Sequence, residues 1–354
     1  MSAIPFDIDA DASRLADRRR PTALISIVTA FYNEEDSIPT YFQVLEETAA
    51  ALPCRVEFVC VNDGSRDGTP SLLRAHAANA RHVRVIELSR NFGKEAAITA
   101  GLAQARGDAA VVIDADLQDP PALIGDFVRK WREGFDVVYG IRRCRRSDSW
   151  LKRVTAWAFY SLFARLADTG LPAGAGDFRL MDRRALDAFL AMPERNRFLK
   201  GLFAWIGFRQ TGVEFARPAR VAGRSAWSYF KLVNLAFDGI TGFSIAPLRL
   251  SSLFGALVSL MAFVYAMMLI VRTLVWGADV PGYASVMVVM MFLGGMQLLC
   301  LGLIGEYLGR LYIESKKRPL YVVSDVHEGE AHPERIEGAG NLVPLRPASE
   351  SRAM

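Results

Sequence analysis

Cysteine is scarce in this sequence: 354 residues contain only Cys54, Cys60, Cys144 and Cys300. The four have no metal-ligand spacing, so neither a disulfide scaffold nor a cysteine-held metal follows, and they read as reduced packing residues. An excess of one charge is also lacking. Lys and Arg total 42 against 38 Asp and Glu, a formal +4, which is too mild to point to nucleic acid. An apolar leader is missing as well: MSAIPFDIDADASRLADRRR is mixed in charge, which predicts a flexible segment over residues 1–22, no cleaved signal peptide and a cytosolic domain behind it. From about residue 323 to Met354 the chain is rich in Glu, Pro, Gly and Arg without periodicity, which predicts a solvated, disordered tail.

Between Leu24 and Gly140 short β-branched runs alternate with longer amphipathic ones. ALISIVTAF, VEFVCVND, VRVIEL, AAVVID and DVVYG read as strands, and SIPTYFQVLEETAAAL, TPSLLRAHAANA, GKEAAITAGLAQARG and ALIGDFVRKWREG as helices. This alternation predicts an α/β domain with a mainly parallel sheet wrapped on both faces, whose ligands bind beyond the carboxyl ends of the strands. The loops FYNEED, NDGSRDGT, SRNFGKE and DADLQDP would then share one edge. From Ile141 to Arg249 the chain turns basic and aromatic with few clean strands. RRCRRSDSWLKRVTAWAFYSLFARL fits either a solvated basic face over a core helix or an amphipathic helix on an anionic membrane surface.

Two long uncharged runs follow, Leu250 to Val271 and Val280 to Gly305. At about 1.5 Å per residue each can cross a hydrocarbon core of about 30 Å. Both are expected to be transmembrane, within residues 250–306. Arg217, Arg220, Arg224, Lys231 and Arg249 precede them, and Arg310, Lys316, Lys317 and Arg318 follow, whereas the intervening loop has only Arg272 and Asp279. The positive-inside rule makes both ends cytoplasmic and lays the basic helices beside the inner leaflet.

The chemistry concentrates in VVIDADLQDP. Paired carboxylates at a strand end mark a hard-metal site, an acid/base pair or a helix-capping turn. Asp119, ahead of two prolines, suits capping of the next helix. Asp114 and Asp116 come too early for that. Mg²⁺ typically takes one or two carboxylates and completes its shell with substrate phosphates.

The ordered set TAFYNEEDS, VCVNDGSRDGT, SRNFGKEAAITAGLAQARGD, VVIDADLQDPP, VVYGIRR, GDFRLMDRRA and FDGITGFSIAPLR resembles a bacterial family 2 glycosyltransferase of the polyprenyl-phosphate type, akin to bactoprenol glucosyltransferases and, more distantly, dolichol-phosphate mannose synthases. The resemblance runs from about Leu24 to Pro319. It implies a GT-A domain over residues 23–249 with juxtamembrane amphipathic helices, two transmembrane helices and a cytoplasmic segment over 307–354. It also implies that Ala30, Tyr32 and Glu34 surround the base and ribose of a nucleotide sugar, that Asp63 closes the base side, and that Asp114 and Ala115 contact the donor. Asp116 and Gln118 would ligate Mg²⁺ or Mn²⁺.

The implied acceptor is a polyprenyl phosphate, already carrying about 1.5 to 2 negative charges at pH 7, so attack needs no general base. It needs cations, and Arg142, Arg143, Lys152 and Arg153 are the candidates for the lipid phosphate, Arg142 first because it follows the fifth strand. Asp177 in GAGDFRLM would orient the acceptor or Arg179. Asp116, Asp177 and Arg220 are the candidates closest to the chemistry, Arg217 and Arg220 lying in a loop that closes over the donor diphosphate. That loop commonly reads Gly-x-Ser-Lys in the family; here Gly223, Arg224 and Ser225 are followed by Ala226. UDP-glucose is the first expected donor, with GDP-mannose and other UDP-sugars compatible with the same loops. An aspartyl phosphatase would place its D-x-D after the first strand, a processive polysaccharide synthase would show Q-x-x-R-W and more spans, and a membrane scaffold would leave the donor loops unexplained. Gly294, Gly295 and Gly302 permit the close helix packing of a homo-oligomer.

Overall fold

The computed structural model describes residue 19 and residues 22–142, 175–192, 194–195, 197, 199–215, 246–276 and 282–329. In chain order these form β1 (Leu24–Phe31), α1 (Ile38–Ala51), β2 (Arg55–Asn62), α2 (Thr69–Asn79), β3 (Val83–Leu88), α3 (Lys94–Gln104), β4 (Ala109–Val112), α4 (Leu123–Arg132), β5 (Val137–Arg142) and β6 (Ala175–Asp182). Then come α5 (Arg183–Leu190), α6 (Leu199–Trp205), β7 (Gln210–Phe215), α7 (Ala246–Trp276), α8 (Tyr283–Ser315) and β8 (Val323–Glu328).

The strands make one sheet in the order β7-β5-β6-β4-β1-β2-β3-β8. β1 pairs in parallel with β2 and β4, β2 with β3, and β5 with β7. The carboxyl ends of β1 to β4 therefore share an edge, as the alternating pattern predicts. The sheet is more mixed than that pattern suggests, because β6 runs antiparallel between β4 and β5. Its start consequently lies on the edge where β4 and β5 end: Val112 faces Arg179, and Ile141 faces Ala175.

Period-two alternation gives the sheet two apolar faces. Ile25 and Ile27 of β1 point to one core with Tyr41 and Leu45 of α1 and Phe127 and Trp131 of α4. Val28 points to the other, with Ile98 and Leu102 of α3, Leu186 of α5 and Leu202 of α6. Gly101 lets α3 approach closely, since a Cβ there would collide with Val28 and Val61.

The expectation of a disordered tail from about residue 323 is corrected by β8, which pairs antiparallel with β3. Its composition alone looks like coil; its partners hold it. Glu328 meets Arg84 at 2.6 Å and Arg106 at 3.0 Å, and Ser324 Oγ donates to the Glu87 carbonyl. β6 and β7 likewise fall in the stretch that seemed poor in strands.

α7 and α8 each contain a long apolar stretch that is not buried in the protein. A buried core hairpin is thereby excluded, and both helices are long enough to cross a membrane. At about 1.5 Å per residue the 33 residues of α8 reach about 50 Å, longer than a bilayer core of about 30 Å. At its end Arg195 donates its backbone N–H to Glu314 Oε1 at 2.7 Å and its Nε to the Arg318 carbonyl, tying the helix end to the α/β domain.

Candidate active site

The loops after β1 and β2 are laced together. The backbone N–H of Asn33 donates to Ser65 Oγ, that of Glu34 to Thr69 Oγ1, and that of Arg66 to Asn33 Oδ1. Asn33 has φ 54°, a left-handed conformation that asparagine tolerates. Ala30, next to last in β1, is half-buried, and Tyr32 stands 45% exposed, offering an open ring face. Glu34 accepts from Ser37 Oγ at 2.9 Å; burial raises its carboxyl, and the charges of Asp116, Asp67 and Asp114 raise it further. Glu34 therefore belongs electrostatically to the carboxylate loop.

Asp63 is only 2% exposed, and its two oxygens accept the backbone N–H groups of Phe92 at 2.7 Å and Gly93 at 2.9 Å. Burial raises its carboxyl against those two bonds. The structure thus gives Asp63 a bracing position beneath the loop that follows β3. Gly64, at φ 65°, makes the same approach possible, because a Cβ there would strike the backbone of Arg90 and Asn91.

After β4 the backbone turns through Leu117 at φ 50°, an uncommon conformation for leucine that costs about 1–2 kcal/mol. Ala115 is buried, while Asp116 is exposed and accepts only the Gln118 N–H, at 3.1 Å, among the described contacts. Gln118 Oε1 is buried without a hydrogen-bond partner. Among the described residues no cluster of three or more His, Cys, Asp or Glu side chains could hold a metal alone. An open carboxylate beside an orphaned amide oxygen nevertheless fits a hard cation whose remaining ligands come from a diphosphate.

Asp119 does not cap α4, contrary to expectation. The N-cap is Ala122, and Asp119 Oδ2 instead accepts from Arg142 at 3.1 Å across 23 residues of chain. Arg142, 34% exposed, also lies against Gly176. It comes to the right edge, already partnered. Arg143, Lys152, Arg153, Arg217, Arg220, Arg224 and Ala226 lie outside the described residues.

Asp177, at the start of β6, joins Asp114 through a residue that the sequence reading passed over. Lys94 Nζ is 2.7 Å from Asp114 Oδ1 and 2.9 Å from Asp177 Oδ2. Burial opposes ionisation of Asp177, but Lys94, Lys200 and Arg179 prevail and bring it down to about 2. Arg179 is buried against the Phe203 ring, 3.9 Å from its centroid, and donates to the Gly176 carbonyl at 2.7 Å. Only the lysine within NFGKE could have flagged this contact in the sequence, and its partners there are distant.

The edge therefore combines the two laced loops after β1 and β2, a carboxylate loop suited to a diphosphate-bound cation, and the cations Lys94, Arg142 and Arg179. Residues 26–190 match the family described as Glycosyl transferase family 2, and residues 246–311 match the GtrB C-terminal hairpin. A glycosyltransferase of Synechocystis sp., described as uncharacterized, is 51% identical over 306 residues, covering 86% of this chain and 96% of that one. The chain belongs to glycosyltransferase family 2. The SfII prophage-derived bactoprenol glucosyl transferase of Shigella flexneri is 44% identical over 305 residues, 86% of this chain and 99% of that one. Among solved structures, glucosyl-3-phosphoglycerate synthase from Mycobacterium tuberculosis overlaps with a TM-score of 0.43 at 20% identity, over 68% of this chain and 84% of that one. The sheet of this glycosyltransferase is mixed, and the family hairpin coincides with α7 and α8.

Proposed function

We propose that this glycosyltransferase moves a hexose from a nucleotide sugar, UDP-glucose, to undecaprenyl phosphate in the inner membrane, with inversion at the anomeric carbon. One observation carries the lipid acceptor. The chain leaving α8 enters the sheet at its active edge, Val323 of β8 facing Leu88 at the carboxyl end of β3. Residues 316–322 span at most about 25 Å when extended, so the active edge is tethered close to the membrane end of α8. A soluble acceptor would not require this arrangement. Likeness to bactoprenol glucosyl transferases along nearly the whole of their length supports the same reading.

In this reading Tyr32 stacks on the base, Ala30 and Glu34 flank the ribose, Asp63 holds the neighbouring loop, and Asp114 and Ala115 meet the donor. Asp116 and Gln118 would hold Mg²⁺ or Mn²⁺, which when bound neutralises charge developing on the departing diphosphate. Arg142, Arg143, Lys152 and Arg153 draw in the lipid phosphate, and Arg220 closes on the donor. A phosphate oxygen forms the new bond to the anomeric carbon as the bond to the nucleotide diphosphate breaks on the opposite face. No proton has to be removed, and Asp177, held at about 2, is too weak a base to remove one. Its charge serves to orient. By the positive-inside rule the α/β domain and both chain ends are cytoplasmic.

The test uses membranes carrying the full chain, undecaprenyl phosphate, a divalent cation and a panel of UDP- and GDP-sugars, with lipid-linked product counted. UDP-glucose is expected to give the most product, and Asp116→Ala to abolish it. Unchanged turnover in Asp116→Ala refutes the metal assignment, and preference for GDP-mannose refutes the donor.

A further inference from the structure

Lys94 occupies the first position of α3, where the partial positive charge of the helix terminus disfavours a cation. Its side chain is 46% exposed, and exposed ion pairs stabilise a fold by only about 0–1 kcal/mol. Neither helix formation nor stability accounts for it. Geometry does: the ammonium sits between two acids from different parts of the sheet edge, Asp114 after β4 and Asp177 at the start of β6.

Each acid has other neighbours. Asp177 is also faced by Lys200 of α6, Arg179 of β6 and, as a repulsive charge, Glu95 of α3; Asp116 adds repulsion at Asp114. Lys200 and Arg179 act on Asp177. Lys94 alone among the described residues is bonded to both acids. Its own loop is fixed from beneath by the bonds from Phe92 and Gly93 to Asp63.

We infer that Lys94 is a positioning residue that locks the donor-side carboxylate of Asp114 to the acceptor-side carboxylate of Asp177, fixing the gap in which the sugar changes partners. Without the ammonium the two acids repel one another and turn apart. The nucleotide is still held by the β1 and β2 loops, but the sugar is no longer aligned with the attacking phosphate, so kcat falls more than KM rises. This inference rests on the transfer reading given above.

The test is a double-mutant cycle in the full-length protein with Lys94→Met, Asp177→Asn and the pair together. Lys94→Gln replaces the Met variant if that protein does not accumulate. Lys94→Met is expected to lose about 10- to 100-fold in kcat, with less than about 3-fold change in KM for the nucleotide sugar. The double variant is expected to fall within about 3-fold of the worse single variant, because both substitutions break one unit. Losses that multiply, or a Lys94→Met enzyme within about 3-fold of wild type, overturn the inference. Should wild type form no lipid-linked sugar with any donor, the transfer reading fails separately; the same cycle read as thermal midpoints then decides the lock, non-additive shifts supporting it and additive shifts overturning it.

Discussion

Glu95, next to Lys94, offers a sharp prediction because its carboxyl is held far from its ordinary range. Burial pushes it up to about 7, the charge of Asp177 adds to this, and the N–H of Leu199 together with Lys200 and Lys94 opposes it. The folded value lies above the ordinary 4.5, so the folded state binds this proton more tightly than the unfolded chain does. The corresponding stability is fully present below about pH 4.5 and is lost as pH rises through about 7. At about 1.4 kcal/mol per pH unit, the interval sets an upper bound of about 3.5 kcal/mol on the cost of the ionised form. Partial solvent contact and the favourable first-turn position of an acid reduce this to about 1–2 kcal/mol. Glu95→Gln keeps an oxygen for the Leu199 N–H, 3.4 Å away, and removes the charge. For a domain of this size the variant should melt about 3–6 °C above wild type at pH 8.5 and level with it at pH 4.5. Tryptophan fluorescence of detergent-solubilised protein, scanned between those pH values, gives the comparison. A gain independent of pH, or a loss at pH 8.5, would refute the reasoning.

Two further perturbations probe contacts that the fold makes at long range. Arg142→Ala leaves Asp119 buried and unpaired and should cost about 2 kcal/mol, allowing for the partial exposure of the arginine; Asp119→Asn in the same background should recover most of the thermal midpoint, whereas an unshifted midpoint with weaker lipid use would assign Arg142 to the acceptor alone. Truncation after Leu320 removes β8, bares the edge of β3 and takes Glu328 from Arg84 and Arg106; a loss on the order of 2 kcal/mol with larger particles in size-exclusion chromatography is expected, and an unchanged, monodisperse protein would contradict it.

What could be read without coordinates was local. The alternation in β1 to β4 and the helical spacing of α1 to α4 are periodic, and parallel strands deliver their loops to one edge, so the shared edge of the four polar loops was legible. VVIDADLQDP carried its meaning in one stretch. The contacts that give the site its charge balance join distant residues: Lys94 lies 83 positions from Asp177, and Arg142 lies 23 from Asp119. The prolines after Asp119 suggest a cap, yet a buried carboxylate gains more from a guanidinium than from a helix end that can close on Ala122. β8 escaped for the same reason, since its pairing edge and its ion-pair partners lie on β3 and beside α3.

These distant contacts converge on the loop that carries Lys94. Asp63 holds it from beneath through Phe92 and Gly93, and the Ser89 N–H donates to the Val322 carbonyl at 2.9 Å, on the chain arriving from α8. Arg195 anchors the end of that same helix through Glu314. The segment leaving α8 therefore braces the base of the loop whose lysine bridges Asp114 and Asp177. Shifting α8 relative to the sheet would strain that loop before it disturbed the β1 and β2 loops, whose hydrogen bonds among the described residues run to each other. On the proposed reading, donor binding is then insulated from the seating of the hairpin, while the alignment of the two acids depends on it.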